Sequence, residues 1–343
     1  MSLILISSEH FADHQTPPGH PERVERAEVM DVVASRWRDG GGEVVAPRRA
    51  THEQLARVHD AEYLRRISET AGQAVALDPD TYTSPETHEI ALLAAGAAVD
   101  AVERVMGATH TPALAMVRPP GHHAERGRAM GFCLFNNVAV AAAHARSLGA
   151  GRVAVVDFDV HHGNGTQHTF ERDPSILYVS THQYPYYPGT GAVDEVGIGD
   201  GAGFTVNVPL ESGSVDSDYR IAFDEIILPV LRQFHPDLLL VSAGFDAHER
   251  DPLATMRLTS EAFGAMTMGL RRVAEDVCRG RMALLTEGGY DLQALAASLD
   301  QTIHALTAPL ADPVWPAATV ASTRGRTSVD RVKQAIAPFW KVK

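Results

Sequence analysis

The sequence predicts a single α/β domain, in which a parallel β-sheet is covered by helices on both faces. Seven short apolar runs, rich in β-branched residues, are bounded by turn residues, as expected for buried strands. Segments with helical spacing lie between most of them, and strands that are apolar throughout are typical of parallel sheets. The chain has 343 residues and no evident linker, which fits one large domain.

The predicted elements follow in order along the chain. Strands are expected at Leu3–Ile6, Ala113–Val117, Val153–Phe158, Ile176–Ser180, Phe204–Val208, Leu238–Ser242 and Met282–Leu285. Helices are expected at Val24–Arg38, Glu86–Met106, Asn137–Ser147, Ser217–Phe234 and Ser260–Arg279. Ser84 and Pro85 should begin the second helix and Ser260 should cap the last, because serine caps helices and proline fits their first turn.

The end of the chain differs in composition from the rest. The stretch from about 309 to 326 is rich in Pro, Ala and Thr, so we expect it to be irregular. This predicts a main domain at residues 1–308 and a C-terminal extension at 309–343 that packs on the domain or trails from it.

Composition and charge exclude several classes of protein. The 30 basic and 43 acidic residues give a net charge of −13, which argues against nucleic-acid binding, because that needs clustered cations. Two cysteines are too few for a disulfide framework or a cysteine-based metal site, so a transition metal would need imidazole and carboxylate ligands. No apolar run approaches the roughly 18 residues of a membrane span, and no targeting segment is apparent. We therefore expect a soluble, cytoplasmic protein.

Acids and histidines follow the strand expected at Val153–Phe158. Ligand sites of parallel sheets form at the carboxyl ends of strands. Asp159 and His161 are two residues apart, so on an extended segment both would point to one side and could meet one ion. Asp157 and Asp159 could instead cap the next turn. Burying the acids and the imidazole of this segment without a cation to bind them would cost free energy, so the sequence favours a metal site.

A second strand, Leu238–Ser242, also delivers an acid at its end. Asp246 would complete a set of two carboxylates and one imidazole around an ion. Three protein ligands leave a position for water or substrate, as in catalytic zinc sites. Taken alone, Asp246 could instead be a helix cap, but together with Asp159 and His161 the sequence favours a metal ligand.

Two further strand ends carry groups suited to catalysis. His122 and His123 follow Pro119-Pro120-Gly121 and suit proton transfer and charge stabilisation, although a pair of surface histidines would be unremarkable. Tyr290 follows Gly288-Gly289, and its hydroxyl could donate to a developing oxyanion. A tyrosine buried in the core is the alternative. Together, four strand ends with complementary polar groups predict a catalytic site more strongly than any one of them does alone.

These segments together resemble the zinc-dependent histone deacetylases, a superfamily that includes acetylpolyamine amidohydrolases and acetoin-utilisation proteins. The resemblance covers roughly His20 to Leu306. The matching segments are Pro119–Ala124, Asp157–Gly165, Ser180–His182, Tyr187–Gly191, Ala243–Asp246 and Glu287–Tyr290. It implies the arginase/deacetylase α/β fold, with an eight-stranded parallel sheet at its centre.

The resemblance also implies roles for single residues. Asp159, His161 and Asp246 match the zinc ligands. His123 matches the general base that later protonates the leaving amine, and His122 matches its electrostatic partner, oriented by Asp157. Tyr290 matches the residue that polarises the scissile carbonyl, and Gly289 before it is expected to contact the substrate. The acyl channel would be walled by Gly131, Phe132 and Tyr187. Structural K⁺ or Na⁺ sites are implied at Asp157, Asp159, His161, Ser180 and Thr181, and at Phe170, Asp173, Ile176 and Phe204.

Departures from the family pattern bear on the substrate. Asn164, which we expect in the catalytic site, stands where many class I enzymes carry Asp, so the chain resembles class II. Leu253 stands where polyamine-specific relatives carry an acidic gate, which favours an acylated lysine or another neutral acyl amide. Asp80 or Thr83 would hold the substrate backbone. An acetylpolyamine amidohydrolase and a non-catalytic acyl-amine or acetoin-pathway binding protein remain alternatives, and a homo-oligomer is left open. The chain lacks the further Asp ligands of a two-manganese ureohydrolase.

Overall fold

The computed structural model describes residues 3–108, 110–317 and 324–342. Its centre is one sheet of eight strands: β1 (Ile4–Ile6), β2 (Glu43–Val45), β3 (Ala113–Ala115), β4 (Val153–Asp157), β5 (Ile176–Gln183), β6 (Thr205–Leu210), β7 (Leu238–Ala243) and β8 (Met282–Thr286). The strands are all parallel and lie in the order β2-β1-β3-β8-β7-β4-β5-β6. The predicted fold class is therefore confirmed.

Helices cover both faces of this sheet. They are α1 (Glu25–Asp39), α2 (His52–Ala56), α3 (Ala61–Ser68), α4 (Thr87–Gly107), α5 (Asn137–Ser147), α6 (Asn164–Phe170), α7 (Asp216–Ala222), α8 (Leu228–Phe234), α9 (Ser260–Cys278), α10 (Leu292–Thr307) and α11 (Arg324–Ile336). A π-helical stretch at Phe223–Ile227 joins α7 to α8. Within the described residues, we find no helix with the length and apolar character needed to cross a membrane.

Alternate residues of each strand belong to two different cores. In β4, Val153 and Val155 pack in a core with residues of α3, α4 and α5. Ala154 and Val156 pack in a second core with residues of α1 and of α7 to α11. Because neighbouring side chains of a strand point to opposite faces, a strand that is apolar throughout must be covered on both sides.

Strand β2 was missed by the sequence prediction, and both predicted caps were wrong. Glu43–Val45 is a half-exposed edge strand of only three residues, too short and too polar to form an apolar run. Ser84 lies in the turn before α4, whose N-cap position is Glu86. Ser260 is the first helical residue of α9, so Thr259 occupies the cap position. The Ser260 hydroxyl instead lies 3.1 Å from His248 Nε2.

The C-terminal segment contains a helix that the sequence analysis did not predict. Residues 310–317 lack regular structure, as expected, and residues 318–323 lie outside the described part of the chain. Helix α11 then begins at Arg324, inside the segment expected to be irregular. Its apolar face, Val329, Val332 and Ile336, is buried in the same core as β6 and α7.

Candidate active site

The four strands that carry the predicted site residues are neighbours in the sheet, in the order β3-β8-β7-β4. All of them are parallel, so their carboxyl ends meet along one edge. Asp157 at the end of β4 pairs in register with Ser242 of β7. This register brings the segment after β4 next to the segment after β7, and Asp159 and Asp246 therefore converge.

Asp159, His161 and Asp246 form a cluster that could hold a metal ion. One ligand atom from each lies within 4.8 Å of the others, and all three residues are buried. His161 Nδ1 is 3.2 Å from Asp159 Oδ1 and 3.1 Å from Asp246 Oδ2. The chain bends after Asp157 rather than staying extended, so strand alternation is not what brings Asp159 and His161 together. Instead, the backbone N–H of His161 donates to Asp159 Oδ1 at 2.9 Å.

The electrostatics of this cluster favour a cation. Burial and the charge of Asp159 raise the pKa of the Asp246 carboxyl. Burial by itself would lower the pKa of His161, but Asp159 and Asp246 raise it to about 10. Carboxylates that attract a proton to this nitrogen would also attract a metal ion, whose binding requires that nitrogen to be deprotonated.

Glycine leaves space for the carboxylates. A Cβ atom on Gly288 would lie 2.2 Å from Asp246 Oδ2 and 2.7 Å from Asp159 Oδ2. Any other residue would therefore displace the two acids, and the Gly288 N–H instead donates to Asp159 Oδ2 at 2.8 Å. The residue types, burial and spacing fit a metal such as zinc.

His122 and His123 lie side by side above this cluster, with ring centroids 4.0 Å apart. His122 Nδ1 is 3.0 Å from Asp157 Oδ2, and His123 Nδ1 is 2.7 Å from Asn164 Oδ1. Burial opposes the charge of His122, but Asp159 and Asp157 raise its pKa to about 10. Burial, together with the charges of His122 and His161, holds the pKa of His123 well below its usual value. These opposite shifts favour the charged form of His122 and the neutral form of His123.

Glu287 anchors the loop that carries His122 and His123, a role that was not predicted from the sequence. Its Oε2 accepts hydrogen bonds from the backbone N–H groups of Gly121, at 2.6 Å, and His122, at 3.1 Å. Its Oε1 accepts from Ser242 Oγ at 2.9 Å. Burial raises the pKa of Glu287 to about 7. A polar residue directly after an apolar strand was a signal that could have found it.

Tyr290 is held by residues that are far away in the sequence. Arg26 donates to Gly289 O at 2.7 Å and lies 5.0 Å from the centroid of the Tyr290 ring. Asp251 Oδ2 accepts from the Tyr290 N–H at 2.7 Å. These contacts fix the loop after β8, so that Tyr290 faces the pocket. Arg26 and Asp251 lie outside the motifs recognised at the four strand ends, so neither was predicted from the sequence.

A pocket of about 170 Å³ lies over the cluster, and most of the predicted channel residues line it. Phe132 and Tyr290 meet edge to face at 5.8 Å, and Tyr187 meets His123 in the same way at 5.1 Å. The lining residues are Asp80, Pro120, His122, His123, Gly131, Phe132, His161, Tyr186, Tyr187, Leu253, Gly288 and Tyr290. Tyr186 was not predicted; its hydroxyl donates to Leu253 O at 2.6 Å.

The remaining predicted residues lie around the pocket or away from it. Gly289 contributes the carbonyl that Arg26 binds, and Thr83 bonds within its own loop. The cation residues near the cluster, Ser180 and Thr181, are on β5 beside β4, and Thr181 Oγ1 is buried without a hydrogen bond. At the second group, the N–H of Ile176 donates to Asp173 O and that of Asp173 to Phe170 O, while Phe204 O accepts from Tyr178 N.

Residues 20–306 match the model of the histone deacetylase domain. The chain belongs to the histone deacetylase family. A crystal structure of the HDA15 HD domain superposes on it with a TM-score of 0.91 and 37% identity, covering 99% of this chain and 95% of that one. The family resemblance expected from the motifs is therefore confirmed.

Relatives within this histone deacetylase family come from plants, animals and archaea. Histone deacetylase 15 of Arabidopsis thaliana is 39% identical over 98% of this chain, and polyamine deacetylase HDAC10 of Homo sapiens is 40% identical over 99%. A probable deacetylase of Archaeoglobus fulgidus is 35% identical, with 98% of both chains covered. The chain spans about three fifths of the plant relatives' length and 53% of human HDAC10.

Proposed function

We propose that the protein is a zinc-dependent amidohydrolase that removes short acyl groups, acetyl above all, from lysine side chains or similar amines. The observation that carries this proposal is the convergence of three elements on one small pocket: the Asp159–His161–Asp246 cluster, the His122–His123 pair and Tyr290. Membership of the histone deacetylase family supports the same reaction.

Asp159, His161 and Asp246 would hold the zinc ion. When bound, zinc supplies Lewis-acid activation of water and of the amide carbonyl. We further propose structural K⁺ or Na⁺ ions at the two groups named by the family resemblance. The buried, unpaired Thr181 Oγ1 supports the first of these.

The two histidines divide the proton chemistry. His123 lies in the pocket, and its lowered pKa keeps it neutral, so its Nε2 can take a proton from the attacking water. The same nitrogen then returns the proton to the leaving amine. His122, held by Asp157, stays charged and stabilises negative charge as it develops beside it.

Tyr290 completes the site as a hydrogen-bond donor. Burial raises the pKa of its hydroxyl well above the usual value, so the hydroxyl keeps its proton and can donate to the carbonyl oxygen. Phe132 and Tyr187 both line the pocket, and aromatic walls of this kind suit an unbranched methylene chain. The small pocket volume favours a short acyl group.

Leu253 in the pocket lining favours a neutral acyl amide, as the sequence suggests. One observation supports the alternative of an acetylpolyamine substrate: Asp80 also lines the pocket, and its carboxylate would attract a cationic amine. Human HDAC10, at 40% identity, is named a polyamine deacetylase. A cytoplasmic location and the absence of nucleic-acid and membrane partners stay predictions.

The experiment is a comparison of hydrolysis rates on acetyl-lysine peptides and on acetylputrescine, with the bound metal measured on the same sample. We expect the peptide to be favoured in kcat/KM and about one zinc per chain. A preference for acetylputrescine would establish the alternative. The Leu253→Glu variant should shift the ratio towards acetylputrescine, with Leu253→Gln as the uncharged control. If neither substrate is turned over and zinc is present, a broader acyl-amide panel tests the binding-protein alternative.

A further inference from the structure

A chain of hydrogen bonds leads from His123 to the protein surface. His123 Nδ1 is 2.7 Å from Asn164 Oδ1, and Asn164 Nδ2 donates to Glu125 Oε1 at 2.5 Å. The same Glu125 oxygen lies 2.9 Å from His168 Nδ1. His123 is almost fully buried, whereas the side chain of Glu125 is 19% exposed and that of His168 is 41% exposed. Glu125 is thus the first charged group beyond the amide.

The charge on Glu125 decides which way the Asn164 amide is turned. Burial by itself would raise the pKa of Glu125, but hydrogen bonds from His168 and Asn164 hold it below its usual value. An ionised carboxylate only accepts hydrogen bonds, so the NH₂ group of Asn164 must face it. In the flipped amide, two oxygens would face each other at 2.5 Å, which is strongly repulsive.

The orientation of the amide in turn decides the tautomer of His123. With its oxygen towards His123, Asn164 can only accept there, so the proton of the neutral imidazole must sit on Nδ1. Nε2 is then left with its lone pair. The flipped amide would instead donate to Nδ1, placing the proton on Nε2 and removing the base.

We propose that Glu125 is a positioning residue: by fixing the orientation of the Asn164 amide, it selects the His123 tautomer that can accept a proton at Nε2. The inference rests on the proposed function, because it gives His123 the role of base. Asn164 contacts His123 directly, and Glu125 supplies the main interaction that keeps the Asn164 amide in the selecting orientation. An aspartate at position 164 would need no selector, since both of its oxygens accept.

Other contacts define how strong this selection is. Glu125 is fixed by its backbone: its N–H donates to Arg128 O at 2.9 Å, and its carbonyl lies 3.0 Å from His59 Nδ1. The Asn164 NH₂ group also donates to His123 O at 3.3 Å, a longer bond that favours the same orientation. Removing Glu125 should therefore weaken the selection without abolishing it.

The test is a double-mutant cycle on the metal-loaded enzyme. We expect Glu125→Ala to lower kcat about 10-fold with little change in KM, at the lower end of what an outer-shell partner contributes. Glu125→Gln, which can still accept through its carbonyl oxygen, should recover most of that loss. In an Asn164→Asp background, Glu125→Ala should be neutral or beneficial, because it removes one of two facing carboxylates. Equal losses in both backgrounds would overturn the proposal.

A second measurement reads the tautomer directly. In protein with ¹⁵N-labelled histidine, the proton of His123 should sit on Nδ1 in the wild type and be shared with Nε2 in Glu125→Ala. An unchanged tautomer in Glu125→Ala would contradict the proposal, even if no substrate is hydrolysed. Failure of the proposed function would show separately, as an inactive wild type with the expected tautomer.

Glu225→Ala is the matched control. Glu225 is also partly exposed, at 28%, and also accepts hydrogen bonds from two side chains, but these belong to α11 and not to the pocket. Its removal should leave kcat and the His123 tautomer unchanged. A loss of kcat equal to that of Glu125→Ala would show that the latter is a general effect of losing a carboxylate.

Discussion

The carboxylates of Glu22 and Glu225 each pair with two cationic side chains, but one cluster is buried and the other is partly exposed. Glu22 lies between Arg26 and Arg118 beneath the pocket, and all three side chains are fully buried. Glu225 accepts from Arg326 at 2.7 Å and also from Lys333, and all three side chains are partly exposed. Burial by itself would raise the pKa of Glu22, but Arg118 and Arg26 lower it to about 2; hydrogen bonds from Arg326 and Lys333 give Glu225 a similar value.

The two clusters differ in what they hold. Arg26 donates onward to the carbonyls of Gly289 and Glu287, so the buried cluster sets the loop that carries Tyr290. Arg326 and Lys333 belong to α11, whose attachment also rests on its buried apolar face. A buried charge needs its oppositely charged partners in a fixed arrangement, so a buried cluster can hold a neighbouring loop in place. Exposed pairs are screened by water and contribute little.

The largest effect is expected where a buried charge would bind the metal. Asp246→Asn keeps the shape of the side chain but removes a proposed ligand charge. We expect the zinc content to fall below half of the wild-type value and kcat/KM to fall by at least about 1,000-fold, because activation of water depends on the ion. The control is Asp216→Asn, the same substitution outside the metal cluster, at an acid that accepts hydrogen bonds from Thr259 at the start of α9. Full zinc occupancy in Asp246→Asn would remove Asp246 from the ligand set.

A test of the buried cluster itself is Glu22→Gln. The substitution would leave Arg26 and Arg118 buried without a counter-charge, which typically costs about 3–5 kcal/mol of folding free energy. Urea unfolding at neutral pH would measure this loss, and kcat should fall with it because the Tyr290 loop loosens. A loss below about 1 kcal/mol would mean that the buried Glu22 cluster contributes no more than an exposed ion pair. Burial would then not distinguish it from the Glu225 cluster.

Tyr290→Phe separates the chemistry of this loop from its packing. Phenylalanine keeps the ring beside Arg26, so the free energy of unfolding and the zinc content should not change. Loss of one oxyanion donor typically lowers the rate about 100- to 1,000-fold, and we expect kcat to fall in that range. Full activity on acetyl-lysine would show that the hydroxyl has no part in the reaction.

The sequence predicted the residues at the strand ends better than the contacts that hold them. Asp159 and Asp246 could be assigned to one site because apolar strands are easily recognised in a sequence, and the carboxyl ends of parallel strands meet at one edge of the sheet. Glu287, Arg26 and Glu125 were missed as positioning residues, since their roles arise from contacts across more than 35 residues, which no local pattern records. The three-residue strand β2 was missed because a half-exposed edge needs no apolar run.

The smallest effect is expected at the exposed cluster, and it should depend on pH. The pKa of Glu225 lies at about 2 in the folded protein, below its usual value of 4.5, so its contribution to stability is present above pH 4.5 and is lost as the pH falls towards 2. Because water screens this partly exposed carboxylate, its contribution is smaller than the full pKa shift would give. Glu225→Gln should lower the free energy of unfolding by about 0.2–1 kcal/mol at pH 7, less at high salt, and by almost nothing near pH 2. Urea unfolding across this pH range would measure the difference. A loss of 3 kcal/mol at pH 7, matching Glu22→Gln, would mean that exposure does not distinguish the two clusters and that α11 depends on its charges rather than on the packing of Val329, Val332 and Ile336.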